Sequence, residues 1–228
     1  KNEGVTKLNF SCDKSMLLEA TATVSKVISA KSMVPALEGI LFNVYDDGRV
    51  KMTGYDLEVG IETYINANVE APGSFIINAK LFGDILRSLS NDTVSLTMDD
   101  KQNVTIVCGV IKFVLPCMKE ELFPQMPLVE NENQFKLKQK MLHSMIRQTI
   151  FSVATNDTKP VLKGVLFDIE GHVISIVTSD YNRLAVRKEE LDGTFDKKLK
   201  FIVPGKALGE LIKIMPSDSD EELLIGLS

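Results

Sequence analysis

The sequence predicts an α+β protein in which one strand-helix-three-strand unit occurs in tandem, with the helices on one face of antiparallel sheets. Three observations carry that expectation. Pro35, Leu37, Gly39, Leu41, Phe42 and Thr53 recur 125 residues later as Pro160, Leu162, Gly164, Leu166, Phe167 and Thr178. Apolar residues at strand and helix periods follow the same order before and after an aperiodic, proline-bearing stretch. The 228 residues are 44% hydrophobic, enough to bury a core in one large domain or two smaller ones.

Taken in order, Val5 to Cys12 reads as a strand, and Asp13 is a good N-cap for a helix running to about Ala30. Met16, Leu17, Ala20, Val24, Val27 and Ile28 fall at helical spacing and form its apolar stripe. Strands are expected over 37–45, 49–53 and 58–68, with Asp46-Asp47-Gly48 as a hairpin signal. The turn Ala71-Pro72-Gly73 precedes a short strand over 74–77. Asn78 caps a second helix through Leu89, with Leu81, Phe82, Ile85 and Leu86 inward. Strands over 93–98, 103–108 and 110–115 complete the first copy. Lys119 to Asn133 holds Pro124, Pro127 and several acids without periodicity, which marks a linker between domains at 1–128 and 129–228.

The pattern then restarts. Phe135, Met141 and Leu142 match Phe10, Met16 and Leu17 at the same offset, and a helix is expected over Lys136 to Ala154. Pro204 to Met215 repeats the helix of Asn78 to Leu89 at an offset of 126, with Lys206, Gly209 and Glu210 where Lys80, Gly83 and Asp84 stood. Leu223 to Leu227 answers the strand at Val94 to Met98. The second copy is therefore expected to be truncated, with Ser228 not a natural terminus.

The residues that would carry catalysis are missing. His143 and His172 have no metal-ligand spacing, and no Walker A loop, G-x-G-x-x-G or G-x-S-x-G occurs. Asp56 with Glu58 and Asp99 with Asp100 read as solvated pairs, while Asp180 is placed to hold Arg183 or cap a turn. No enzyme activity, cofactor or metal is expected. Cys12, Cys108 and Cys117 lack C-x-x-C spacing, and the polar opening has no apolar signal segment, so a cytoplasmic, reducing location is expected.

Net charge is −5, yet the predicted helices carry eleven bases against three acids, which leaves −13 for everything else. Two readings fit. The helices form a face for a phosphate backbone, to which Lys138, Lys140 and Arg147 belong, or they are ordinary lysine-rich solvated surfaces.

The chain also resembles a known family. P-A-L-E-G-I-L at 35–41, T-G-Y-D-L-E at 53–58, L-F-P at 122–124, L-K-G-V-L-F at 162–167 and S-D-Y-N-R-L-A at 179–185 resemble, in order and spacing, the bacterial DNA polymerase III β subunit, the sliding clamp. The resemblance implies tandem DNA-clamp domains, a third of them outside this sequence, closing as a homodimer into a ring around duplex DNA. It implies a non-catalytic processivity factor that tethers the polymerase III α subunit, the clamp loader and repair proteins through short linear motifs. Leu162, Ser179, Tyr181, Asn182, Arg183 and Leu184 match the wall of the family's peptide pocket, although Asn182 stands where histidine is common and Tyr181 where a small residue is. Lys31, Lys80, Asn156, Lys159 and Lys206 match DNA-facing positions, and Phe113 and Leu115 a subunit interface. On the residues alone, plain strand core is the favoured reading of Leu162 and Leu184, and simple edge-strand alternation accounts for Phe113 and Leu115. An interaction scaffold without DNA is the alternative function, and a hydrolase using Asp56 or Asp180 a third.

Overall fold

The computed structural model describes residues 8–90, 93–127, 133–156 and 159–227. The chain divides into two compact units, Lys1–Pro127 and Leu128–Ser228.

In the first unit β1 (Leu8–Asp13) runs directly into α1 (Lys14–Val24). Asp13 stays extended, and its carboxylate accepts the Ser15 and Met16 N–H groups that the helix start leaves unpaired. The helix stops at Val24, well before the expected Ala30. Its last turn is rich in β-branched residues, and the Thr21 hydroxyl donates to the Leu17 carbonyl at 2.7 Å. The Ser25 and Lys26 amides then close onto Thr21 and Thr23. The order continues as β2 (Gly39–Val44), β3 (Arg49–Tyr55), β4 (Gly60–Asn66), β5 (Asn68–Ala71), β6 (Gly73–Asn78), α2 (Ala79–Ser88), β7 (Thr93–Met98), β8 (Asn103–Cys108) and β9 (Ile111–Pro116).

The single strand expected over 58–68 is two strands. At Ala67, whose amide donates to Gly48 at 2.8 Å, the chain leaves the four-stranded sheet β4-β3-β2-β6 and joins the five-stranded sheet β5-β1-β7-β8-β9. Between these sheets and the inner faces of α1 and α2 lies one aromatic core. Phe42 stacks on Phe75 at 4.8 Å and meets the edge of Phe82 at 5.5 Å.

The second unit contains β10 (Asn133–Lys138), α3 (Gln139–Thr149), β11 (Gly164–Ser179), β12 (Leu184–Pro204), α4 (Gly205–Ile214) and β13 (Glu222–Leu227). The helix expected over Lys136 to Ala154 is thus corrected at both ends. Alternating Phe135 and Leu137 are buried in a strand that pairs with β13 throughout, and a 3-10 turn over Ile150–Ser152 follows α3. With these bounds the helices hold seven bases, Lys14, Lys80, Arg87, Lys140, Arg147, Lys206 and Lys213, against Glu19, Asp84 and Glu210. The helical excess falls to +4, half the expected value, because Lys26, Lys31, Lys136 and Lys138 lie outside helices.

The duplication is visible in three dimensions. Leu17, Ala20, Thr21 and Val24 are the buried face of α1, and Leu142, Met145, Ile146 and Thr149 are that of α3, position for position. The Gly39↔Asn78 register returns as Gly164↔Pro204. A Cβ at Gly39 would collide with Ile76, and one at Gly164 with Ile202, so each glycine lets its strand pack beneath an isoleucine. The antiparallel pair β1–β7 is answered by β10–β13.

The stretch read as a linker begins as part of the first unit. Met118 exchanges two 2.8 Å backbone hydrogen bonds with Ile76, and a 3-10 turn over Glu120–Leu122 leads to buried Phe123. Ala36, Leu37, Leu41, Tyr55, Ile76 and Phe123 form a second apolar cluster, joined by Val34, Met118 and Met126. Residues 128–132, the rest of that stretch apart from Asn133, lie outside the described residues, and Asn133 opens β10. The three cysteines are free, and burial together with Asp13 pushes the Cys12 thiol up to about 12.

Candidate functional site

The hairpin between β11 and β12 is set by Asp180. Its Oδ1 accepts the amides of Asn182 and Arg183 at 3.2 and 2.9 Å, and its Oδ2 takes Arg183 Nε and Nη2 at 3.0 and 2.7 Å. The Asp180 amide donates to the Arg183 carbonyl, and the Ser179 hydroxyl donates to the same oxygen at 3.0 Å. Tyr181 takes the left-handed conformation, φ 70, that this tight turn needs. The Arg183 contacts, foremost its side-chain hydrogen bonds, hold the Asp180 carboxyl below its ordinary range. Asp180 therefore both caps the turn and holds Arg183, the structural role expected of it.

The first unit builds the same turn. Asp56 Oδ1 accepts Glu58 and Val59 amides at 3.0 and 2.7 Å, and Leu57 has φ 75. The two turns correspond at an offset of 124, so the ends of the two copies share a backbone and differ in what they display. Where the first has Tyr55, Leu57, Val59 and Gly60, the second has Ser179, Tyr181, Arg183 and Leu184.

That display is outward. Leu184 is 68% and Tyr181 61% exposed, so Leu184 is not strand core. Leu162 is half-buried in a 3-10 turn over Pro160–Lys163, with its carbonyl accepting the Ala154 amide at 2.9 Å. Lys159 lies over the Tyr181 ring at 5.3 Å, and the Arg183 guanidinium over Phe151 at 5.8 Å. Ser179, Tyr181, Asn182, Arg183 and Leu184 share the hairpin itself, and Leu162 sits in the turn that leads into β11. Phe151 joins them and was not singled out in the sequence. The available signal was its place opposite Lys26 in the first copy, where an aromatic replaces a charge at a helix end.

The basic candidates are less uniform. Lys31, Lys80, Lys138, Arg147, Asn156 and Lys206 are exposed. Lys140 is bound to Asp220, and Lys138 adds to the field that lowers the Asp220 carboxyl after Lys140. Arg87 pairs with Asp84 and Lys213 with Glu210. Lys80 and Arg87 line a cavity of about 280 Å3 between α1 and α2, with Leu18, Thr21, Ile28 and Gly83. Phe113 and Leu115 lie on β9, an edge strand, and are half-buried against the first unit's core, while Ile111 and Val114 point outward. Among the described residues no group of three metal-binding side chains assembles, and no helix is long and apolar enough to cross a membrane.

Comparison with known proteins adds a family match and three similar proteins. The sequence profile of the DNA polymerase III beta subunit N-terminal domain matches residues 8–127, and that of its central domain matches residues 136–228. The "Beta sliding clamp" of Halalkalibacterium halodurans is 36% identical over 95% of this chain and 59% of its own length. The fold is similar to that of the Bacillus subtilis DNA polymerase sliding clamp, with TM-score 0.94 at 31% identity over 97% of this chain and 60% of that one. A Eubacterium rectale protein described as a DNA polymerase III beta subunit gives TM-score 0.93 at 33% identity, again over 97% of this chain and 60% of that one. The chain thus spans about three-fifths of the length of the relatives it matches.

Proposed function

The chain belongs to the DNA polymerase III beta subunit family, and from that premise we propose that it forms two clamp domains of a non-catalytic DNA sliding clamp. The observation that carries this reading is the fold of both units together with their order, which parallels the Bacillus subtilis clamp over 97% of the chain. Helix-borne bases such as Lys80, Arg147 and Lys206 attract phosphates without reading bases, through counterion release. A closed ring with that inner charge slides, because no register on the duplex is preferred. It stays on by topology, so processivity asks no bond-making chemistry of the protein.

In this reading the exposed hairpin face serves the tethered partners. Leu162 and Leu184 offer apolar contact, and Tyr181 and Arg183 a polar rim, for short linear motifs of the polymerase, clamp loader and repair proteins. Lys31, Lys80, Lys138, Lys140, Arg147, Asn156, Lys159 and Lys206 are the proposed duplex-facing positions. Phe113 and Leu115 are the proposed contact in a homodimeric ring, presented on an edge strand, and the work is cytoplasmic. The test is retention of the full-length gene product, after loading, on closed circular DNA and its release when the circle is cut. Equal retention on linear DNA overturns the clamp. Salt-insensitive binding would favour a scaffold without a DNA role.

A further inference from the structure

The cavity between α1 and α2 of the first unit, about 280 Å3, is of the size of a small ligand pocket. Leu18, Ala22 and Ser25 line it from one face of α1 and its C-cap, and Lys80, Gly83 and Arg87 from one face of α2. Ile28 and Glu38, from the chain that follows α1, complete the wall. The second unit fills the matching place. Ile146 stands for Thr21 and Ile150 for Ser25, and the Ile150 Cδ1 comes within 3.7 Å of where a Cβ on Gly209, the counterpart of Gly83, would stand. One pair of corresponding helices is thus sealed by isoleucine, and the other is left open by a hydroxyl.

The groups at the opening are chemically specific. Arg87 folds back so that Nη1 and Nη2 lie 3.5 and 3.7 Å from where a Cβ on Gly83 would stand, and Asp84 holds it from the side. A guanidinium resting on bare backbone offers a flat surface to an aromatic ring as well as a charge. Lys80, one turn before Gly83, is exposed and has no ion pair among the described residues, which suits a phosphate. Glu38 accepts the Ser32 amide on Oε1 at 3.0 Å, and its Oε2 can accept a further donor.

We infer that this cavity binds a single nucleotide whose base carries an amino group. The base enters between Leu18, Ala22 and Ile28 and stacks on Arg87, its amino group donates to Glu38, and the phosphate stays at the rim on Lys80. A flexible aliphatic anion would match the apolar wall and the lysine, but it would leave the guanidinium surface and the carboxylate without a role. Attraction of backbone phosphates needs no cavity, so this site goes beyond the proposed duplex contact. It also stands apart from the clamp reading, because a free nucleotide fills the cavity as well as an unpaired residue of a passing strand does.

The probe is deoxyadenosine monophosphate, titrated into the 228-residue protein and followed by its amide resonances. Saturable shifts at Ile28, Ala79 and Gly83 are expected, with binding about tenfold tighter than that of inorganic phosphate. Thymidine monophosphate, which has no amino group on its base, should bind several fold more weakly. Ser25→Ile, which installs the side chain of Ile150, should weaken binding by about tenfold or more. Arg87→Lys, which keeps the charge, should weaken it several fold, and this variant decides if Ser25→Ile does not fold. No saturable shifts, equal binding of inorganic phosphate or thymidine monophosphate, or unchanged affinity in a folded variant overturns the site. A duplex with one unpaired adenosine separates the two sources. Tighter binding than to the fully paired duplex, lost in Ser25→Ile, supports the site and assigns a strand nucleotide. No such gain while the monophosphate binds supports it and assigns a free one. Failure of the site would leave retention on circular DNA untouched.

Discussion

The ring of Phe167 stacks on Phe201 with centroids 5.0 Å apart and planes at 9°, repeating the Phe42–Phe75 pair at 4.8 Å and 5°. Each pair joins two adjacent antiparallel strands at the same register, so one cross-strand contact anchors each core. The two are not equally sealed: Phe75 is fully buried, and Phe201 only partly. Phe75→Ala should cost the first unit about 3–5 kcal/mol, and Phe201→Ala less in the second. Denaturant unfolding with a probe in each unit checks the order. A larger loss at Phe201 would contradict it.

Gly164 and Ile202 are coupled by shape. A methyl group at Gly164 would meet the Ile202 side chain, whose β-branched stem has few alternative rotamers. Gly164→Ala should therefore destabilise the second unit by about 1–3 kcal/mol, as overpacking does. Ile202→Ala in the same chain should recover much of that loss, giving a coupling energy outside the range of independent sites. Additive effects in the double-mutant cycle would show that the glycine answers to something else.

The Asp180–Arg183 turn carries a pH dependence of defined sign. Its folded carboxyl lies below the ordinary value of 3.8, first because of the Arg183 side chain. The turn's contribution is thus present above 3.8 and is lost as pH falls through the lower folded value. Arg183→Ala should move the Asp180 titration back toward the ordinary range, with loosening of the Asn182 and Arg183 amides at a higher pH than in the parent. Carboxyl-carbon NMR titration checks it, and an unmoved midpoint would refute the role of Arg183.

Much of this architecture was legible because spacing repeats: glycine, phenylalanine and helix-cap positions at a near-constant offset leave little choice of fold. Element ends were less legible. Lys136 and Lys138 alternate with Phe135 and Leu137, a strand signal masked by the helical pattern that follows, and α1 ends early through β-branched and hydroxyl residues that a stripe of apolar positions does not report. The segment over 118–123 was hidden for another reason. Met118 and Phe123 are held by long-range pairing with β6 and packing on its face, which no local period encodes. At the hairpin, Tyr181 to Leu184 stood out by divergence, whereas Phe151 reaches the same end of the unit only through tertiary packing beneath Arg183.

The acidic loop after α4 sets the last prediction. Lys140 is already bound to Asp220, while Arg147, about two turns further along α3, is exposed and has no carboxylate bridge among the described residues. A base that must first leave a carboxylate returns less on meeting a phosphate. Arg147→Ala should therefore lower duplex affinity more than Lys140→Ala, and reduce the slope of log affinity against log salt by about 0.9 if it makes one phosphate contact. Asp220→Asn should raise affinity by freeing Lys140 and removing a like charge from the path of the backbone. Fluorescence anisotropy on a random-sequence duplex at several salt concentrations measures all three. If Asp220→Asn leaves affinity unchanged while Arg147→Ala lowers it, the DNA path runs along α3 without reaching its first turn. If neither variant moves the slope, α3 does not face DNA.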